Sequence, residues 1–236
     1  MSSKLIAIVG PSGTGKSTSI RTLNPDETFI INVARKELPF RGADKLYTAE
    51  KKNYFEVDDI KQITTLLTQI STGAPQIKNI VMDDAIYSMA FGMVKKATET
   101  GFTKFSLLAQ DVTTMLTTAR RLRSDLKVFY LSHSETVEDE GKIVGQKIKT
   151  IGKMLDNQIV LEGLFTICLY THVDEDKDGN PTYNFVTNRF RMYPAKSPMG
   201  MFDDTLIPND LNAVCETIDA YYAEEVVVPT TTKKSK

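Results

Sequence analysis

Short apolar runs alternate along the chain with longer segments whose apolar positions recur every three or four residues. Lys4–Val9 is apolar from Leu5 onward and stops at Gly10, the pattern of a strand buried on both faces. Thr28–Val33, Asn79–Met82 and Val128–Leu131 repeat that pattern, and Gly73-Ala74-Pro75 supplies a turn before the Asn79 run. Between these runs, Ile60, Ile63, Leu67 and Ile70 share one helical face. Leu107, Leu108, Val112, Met115, Leu116, Ala119 and Leu122 form the stripe of a helix over 106–123. Strand, helix, strand, helix in this order predicts an α/β fold with a mainly parallel sheet flanked by helices.

The last third has a different rhythm. Leu164–His172 and Thr182–Phe190 flank a polar turn over 174–180, which predicts an antiparallel hairpin extending the sheet. That turn opens like a calcium loop, with Asp174, Asp176, Asp178 and Gly179, but the twelfth position holds Phe185 where a bidentate glutamate is needed. A hairpin turn is therefore expected, followed by packing segments and a final helix through Tyr222. Residues 1–223 read as one domain. Residues 224–236 lose periodicity and close on lysines, so they are expected to be a disordered tail.

Composition narrows the classes. The 236 residues carry 29 Lys+Arg against 30 Asp+Glu, a formal charge of -1, which excludes binding of nucleic acid by bulk positive charge. Cys168 and Cys215 lie far apart without metal-ligand spacing, and no apolar run approaches the roughly 20 residues of a membrane span. A cytoplasmic protein without a membrane partner is expected.

The chemistry concentrates in Gly10-Pro11-Ser12-Gly13-Thr14-Gly15-Lys16-Ser17-Thr18, between the first strand and the segment expected to form a helix. The spacing GxxxxGK[ST] lets glycines curl the backbone so that successive N–H groups face the phosphates of a nucleotide. Lys16 then reaches the outer phosphates, the Ser17 hydroxyl can coordinate Mg²⁺, and the N-terminus of the next helix adds positive charge. A second element is needed for the metal and the nucleophile. Asp83 and Asp84 close the Asn79 run: Asp83 is the candidate metal ligand and Asp84 the candidate group that orients or deprotonates water. The alternative is that one of them caps a helix starting near Ala85. His133, just past Val128–Leu131, is a candidate to sense the terminal phosphate, or else a structural bond to a loop carbonyl.

A strand and a helix intervene between the glycine-rich loop and Asp83, an order suited to ATPases in which an extra strand separates the two motif strands. No guanine-reading NKxD motif occurs. Arg120, Arg121 and Arg123 resemble a kinase lid but fit the cationic end of a helix. Residues 141–155 hold Lys142, Lys147, Lys149 and Lys153 with no acid, either a loop tracking a nucleic-acid backbone or a solvated hairpin of mixed charge with the acidic 135–140. Aromatic residues for stacking are absent from it; Phe102 and Phe105 are the nearest. Arg191 and Lys196, the latter between Pro194 and Pro198, are candidates for a cation presented to a neighbouring subunit, or surface charges around a turn.

The chain resembles the phage and prophage AAA-type P-loop ATPases with a RecA-like core, some of them described as single-strand annealing proteins. The shared segments are Gly10–Thr18, Phe29–Leu38 with Pro39-Phe40-Arg41-Gly42, Val81–Asp84, Lys149–Leu155, Leu161–Phe165, Ala195–Pro198 and Gly200–Phe202. The resemblance implies ATP and Mg²⁺ at Gly13, Gly15, Lys16, Ser17 and Thr18, and a ring or filament of identical subunits. It also implies work on single-stranded DNA in recombination or replication, with phage proteins as partners. Asp84 stands where a glutamate is expected, which bears on the speed of hydrolysis. A single domain of this size leaves no room for a separate DNA module, so several copies must supply an extended basic surface. Two other functions fit the loop: a nucleotide or small-molecule kinase, and a nucleotide-gated protein-binding module with little turnover.

Overall fold

The computed structural model describes residues 2–98, 101, 103–151 and 159–223. Its first half contains β1 (Lys4–Val9), β2 (Thr28–Asn32), α1 (Ala43–Leu46), β3 (Tyr54–Glu56), α2 (Ile60–Gly73), β4 (Asn79–Asp83) and α3 (Ile86–Lys95). Next come α4 (Thr103–Arg120), β5 (Lys127–Ser132) and the pair β6 (Ser134–Asp139) and β7 (Lys142–Ile148). The chain continues with β8 (Ile167–Glu175), β9 (Pro181–Val186), β10 (Leu206–Pro208) and a last helix, α5 (Leu211–Ala223).

Eight strands form one sheet in the order β10-β9-β8-β1-β5-β4-β2-β3. β1 runs parallel to both β5 and β8, and β4 runs parallel to β5 and β2. The expected extra strand between the two motif strands is β5, which separates β1 from β4. β8 and β9 pair antiparallel as expected, joined by a turn in which the Asp176 carboxylate accepts from the backbone N–H groups of Asp178 and Asn180.

Both faces of the sheet are buried. Leu5, Ala7 and Val9 of β1 pack under α2, α3 and α4, while Ile6 and Ile8 face Ile20 and Leu211, Val214 and Ile218 of α5. This is why β1 reads as a continuous apolar run rather than an alternating one. All four predicted positions of α2 are buried, each worth roughly 1.5–3 kcal/mol, and Asp59 caps the helix by accepting from Gln62 N–H at 2.9 Å. Arg123 caps its other end, donating to the carbonyls of Ser71 and Ala74 at 3.1 and 3.0 Å. The guanidinium is thus committed to a helix terminus. Among the described residues no helix is long and apolar enough to cross a membrane.

Several expectations change. The segment after the glycine-rich loop is a six-residue 3-10 turn, Ser17–Thr22, and not a long helix. Its Ser and Thr hydroxyls bond back to nearby carbonyls, as Ser19 does to Lys16 O and Thr22 to Ser19 O, and Pro25 follows closely. Leu107, expected on the buried stripe of α4, is exposed, because the helix turns its 108/112/115/116/119 face to the sheet. For the lysine-bearing stretch, the hairpin alternative with the acidic 135–140 is the one formed: residues 134–148 pair antiparallel and turn at Glu140-Gly141. Phe102, Lys153 and the tail over 224–236 lie outside the described residues.

Candidate active site

The loop after β1 lies at the C-terminal edge of the parallel strands, flanked by the ends of β5 and β8. Gly10 is required by packing: a Cβ there would sit 1.7 Å from Thr171 Oγ1. Thr171 Oγ1 also contacts Thr14 Oγ1 at 2.6 Å, while Thr14 bonds Pro11 O at 2.8 Å, so β8 braces the curl. Gly13 and Gly15 take φ of 78° and 92°, a region open to glycine, and both line a cavity of about 480 Å³ with Ser12, Lys16, Ser17 and Thr18.

Lys16 is buried and folds back onto the loop, donating to Gly10 O at 2.9 Å and Pro11 O at 2.7 Å. Burial lowers its ammonium to about 8, against an opposing pull from Asp84. With a six-residue 3-10 turn behind it, the loop draws its positive potential from Lys16 and its own N–H groups rather than from a long helix dipole.

Of the two aspartates, Asp84 lines the cavity and Asp83 is fully buried. Ser17 Oγ donates to Asp83 Oδ1 at 2.7 Å, and the other Asp83 oxygen is buried with no hydrogen-bond partner. Burial, then the neighbouring Asp84 charge, pushes the Asp83 carboxyl up to about 6. Asp84 occupies the left-handed region at φ 54° and also lines the cavity. Neither carboxylate caps α3, whose N-cap is Ala85 without a side-chain bond, so the helix-capping alternative falls away.

Asp84 has two neighbours. Lys36, four residues past Asn32 at the end of β2, forms an ion pair with Asp84 Oδ2, and His133 Nε2 lies 3.7 Å from Asp84 Oδ1. Burial opposes the Lys36 charge, yet the hydrogen bond and charge of Asp84 outweigh it and hold that ammonium above its usual pKa. Burial and then Lys16 lower the pKa of the His133 imidazole, against an opposing pull from Asp84, which favours its neutral form. Its ring sits edge-on to Tyr87, centroids 5.9 Å apart.

Sequence reasoning assigned no role to Lys36, Arg21, Tyr183 or Asn209, all of which line the cavity. The rule that strand ends face the ligand, applied to β2 as it was to β5, would have found Lys36. Asn209 and Tyr183 sit on the other flank. Asn209 Nδ2 donates to Gly15 O at 3.3 Å, and Arg21 donates to Asn209 Oδ1 at 3.2 Å and Thr18 O at 3.0 Å.

The remaining candidates lie outside this cavity. Lys147 pairs with Glu135 across the β6–β7 hairpin at 2.9 Å, Lys142 is exposed near the tip, and the Lys149 N–H donates to His133 O at 2.8 Å. Arg191 is exposed with φ 51°, its guanidinium 4.8 Å above the Phe190 ring. Lys196 runs antiparallel beside Cys168 of β8, exchanging both backbone bonds at 2.8 and 2.9 Å. Phe105 lies on α4 under the Lys104 ammonium.

A family model described as an AAA domain matches residues 2–199. A search of curated proteins found no match.

Proposed function

Because the chain belongs to the AAA domain family, we propose that it is a Mg²⁺-dependent ATPase that couples nucleotide turnover to the handling of single-stranded DNA, in the manner of phage recombination or replication proteins. Nucleotide binding is the family's common property, and the glycine-rich loop with Lys16 at its centre is the part of this chain that serves it. The oxygens present fit a divalent cation: Ser17 Oγ and Asp83 Oδ1 converge, and the second Asp83 oxygen is buried and unpartnered. Ser17 and Asp83 would hold Mg²⁺, which when bound neutralises phosphate charge. Lys16 leaves the carbonyls of Gly10 and Pro11 for the phosphates, and Asp84, freed from Lys36, orients water.

The observation that carries the DNA reading is the tie between His133 and Lys149. The hairpin springs from the end of β5, and its second strand returns to bond the backbone of His133, which faces Asp84. A phosphate backbone held by Lys142, Lys147, Lys149 and Lys153 would therefore pull on a residue beside the reacting end of the cavity. Several copies of the chain would extend the basic track, with Arg191 or Lys196 offered to a neighbour. Replacing the four lysines with alanine is expected to flatten the salt dependence of single-stranded DNA binding by about 0.7 in log–log slope per lost phosphate contact. An unchanged slope removes DNA from the proposal and leaves the ATPase.

The Lys36–Asp84 ion pair favours a second reading, a nucleotide-gated binding module with little turnover. In it the pair stays closed after ATP binds, and ATP is retained over many minutes with no ADP formed.

A further inference from the structure

The cavity is lined from both sides of the glycine-rich loop, and its two ends differ in chemistry. The sheet order puts the ends of β5, β4 and β2 on one side of the glycine-rich loop, carrying His133, Asp84 and Lys36. It puts β9 and β10 on the other side, carrying Tyr183 and, one residue past Pro208, Asn209. The reacting phosphate belongs at the first end, beside Ser17 and Asp83. A nucleotide laid along the loop from there runs past Thr18 and brings its base to the second end.

Tyr183 is what a base would meet. It is 41% exposed, although it sits on a strand whose next apolar residues, Phe185 and Val186, are fully buried. Its ring edge lies against the loop: Cδ1 is 3.1 Å from where a Gly15 Cβ would be. The backbone fixes it there, since Asn209 N–H donates to Tyr183 O at 3.1 Å. Asn209 and Arg21 are engaged in bracing Gly15 and Thr18, so the aromatic face is the large apolar surface at this end.

We propose that Tyr183 is the stacking platform for the base of the bound nucleoside triphosphate, held in register with the phosphate loop by Asn209. The proposal rests on the nucleotide-binding reading above and adds the base-holding residue to it. Stacking on an aromatic ring is tolerant of base identity, because every base presents a π-face.

The test compares ATP with inorganic tripolyphosphate, which keeps the charge and lacks the base. Tyr183→Ala is expected to weaken ATP binding by about fivefold to 150-fold, the range of a lost base–aromatic stack, while tripolyphosphate affinity stays within about twofold. Tyr183→Phe is expected to bind ATP as the parent does. The chain has no tryptophan, so Tyr183→Trp gives a single reporter whose emission should change with ATP and not with tripolyphosphate. Unaltered ATP affinity in Tyr183→Ala overturns the proposal, as does an equal loss for both ligands or an equal Trp response to both. If tripolyphosphate binds the parent protein and these variants fail, the phosphate-loop reading survives alone. If the parent protein binds neither ligand, the nucleotide reading falls and the stacking role with it.

Discussion

Ser17 donates its hydroxyl to Asp83 Oδ1 at 2.7 Å, joining the glycine-rich loop to the end of β4 across 66 residues of sequence. Both groups are buried, and the second Asp83 oxygen has no partner, so the protein holds a desolvated carboxylate whose natural complement is a cation.

That arrangement costs stability in the absence of a ligand. Asp83 titrates at about 6 when folded against 3.8 ordinarily, so the folded state holds a proton more tightly than the unfolded chain does. Stability from this group is therefore full below pH 4 and falls as pH rises through 6. Asp83→Asn removes the penalty. It is expected to unfold at higher denaturant than the parent at pH 7.5 without nucleotide, by up to roughly 3 kcal/mol, with the gap closing below pH 4. The same variant should lose Mg²⁺-dependent ATP turnover by at least about a hundredfold, and urea titrations beside ADP-release assays check both arms.

The Lys36–Asp84 pair predicts coupling between two strands. Lys36 is half exposed and Asp84 is buried, so Lys36→Met leaves an uncompensated carboxylate and should cost about 1–3 kcal/mol. Adding Asp84→Asn should recover most of that loss. A double-mutant cycle by chemical denaturation measures it, and additive effects in the cycle would mean the pair does not interact.

Gly10 tests the bracing of the loop by β8. Gly10→Ala places a methyl group 1.7 Å from Thr171 Oγ1 and is expected to destabilise the protein by about 3 kcal/mol or more. Thr171→Ala in the same chain removes the offending oxygen and should restore part of the loss, read by thermal melting.

Lys16 sets the pH dependence of nucleotide binding. Burial holds its ammonium at about 8 in the free protein, and bound phosphates would raise it. Binding then takes up a proton above pH 8, so the Lys16 contribution to ATP affinity should be nearly constant up to about pH 7.5. Between pH 8 and 9 it should fall by about fivefold, approaching tenfold per unit only at higher pH. Calorimetry in buffers of different ionisation enthalpy would detect the proton uptake.

What was legible in the sequence was local. The four positions of α2, the runs of β1, β4 and β5 and the glycine-rich loop each declare themselves within twenty residues, because burial periodicity and turn chemistry act over that range. What was not legible depends on register. Lys36 meets Asp84 because β2 pairs with β4, which places Asn32 beside Asp83. Tyr183 and Asn209 reach Gly15 because β9 reverses and β10, a three-residue strand ending in Pro208, pairs along its outer edge. No spacing encodes these meetings. The short 3-10 turn after Lys16 was missed for the opposite reason: the motif implied a helix, and the local Ser, Thr and Pro composition outweighed it.

The central claim is that nucleotide turnover at Lys16 answers to single-stranded DNA bound on the β6–β7 hairpin. Steady-state ADP release with Mg²⁺, titrated with single-stranded DNA at fixed salt, tests it directly. Turnover should rise severalfold with DNA and vanish in Lys16→Ala with or without it. ADP release that proceeds at one rate across the whole DNA titration would contradict the account.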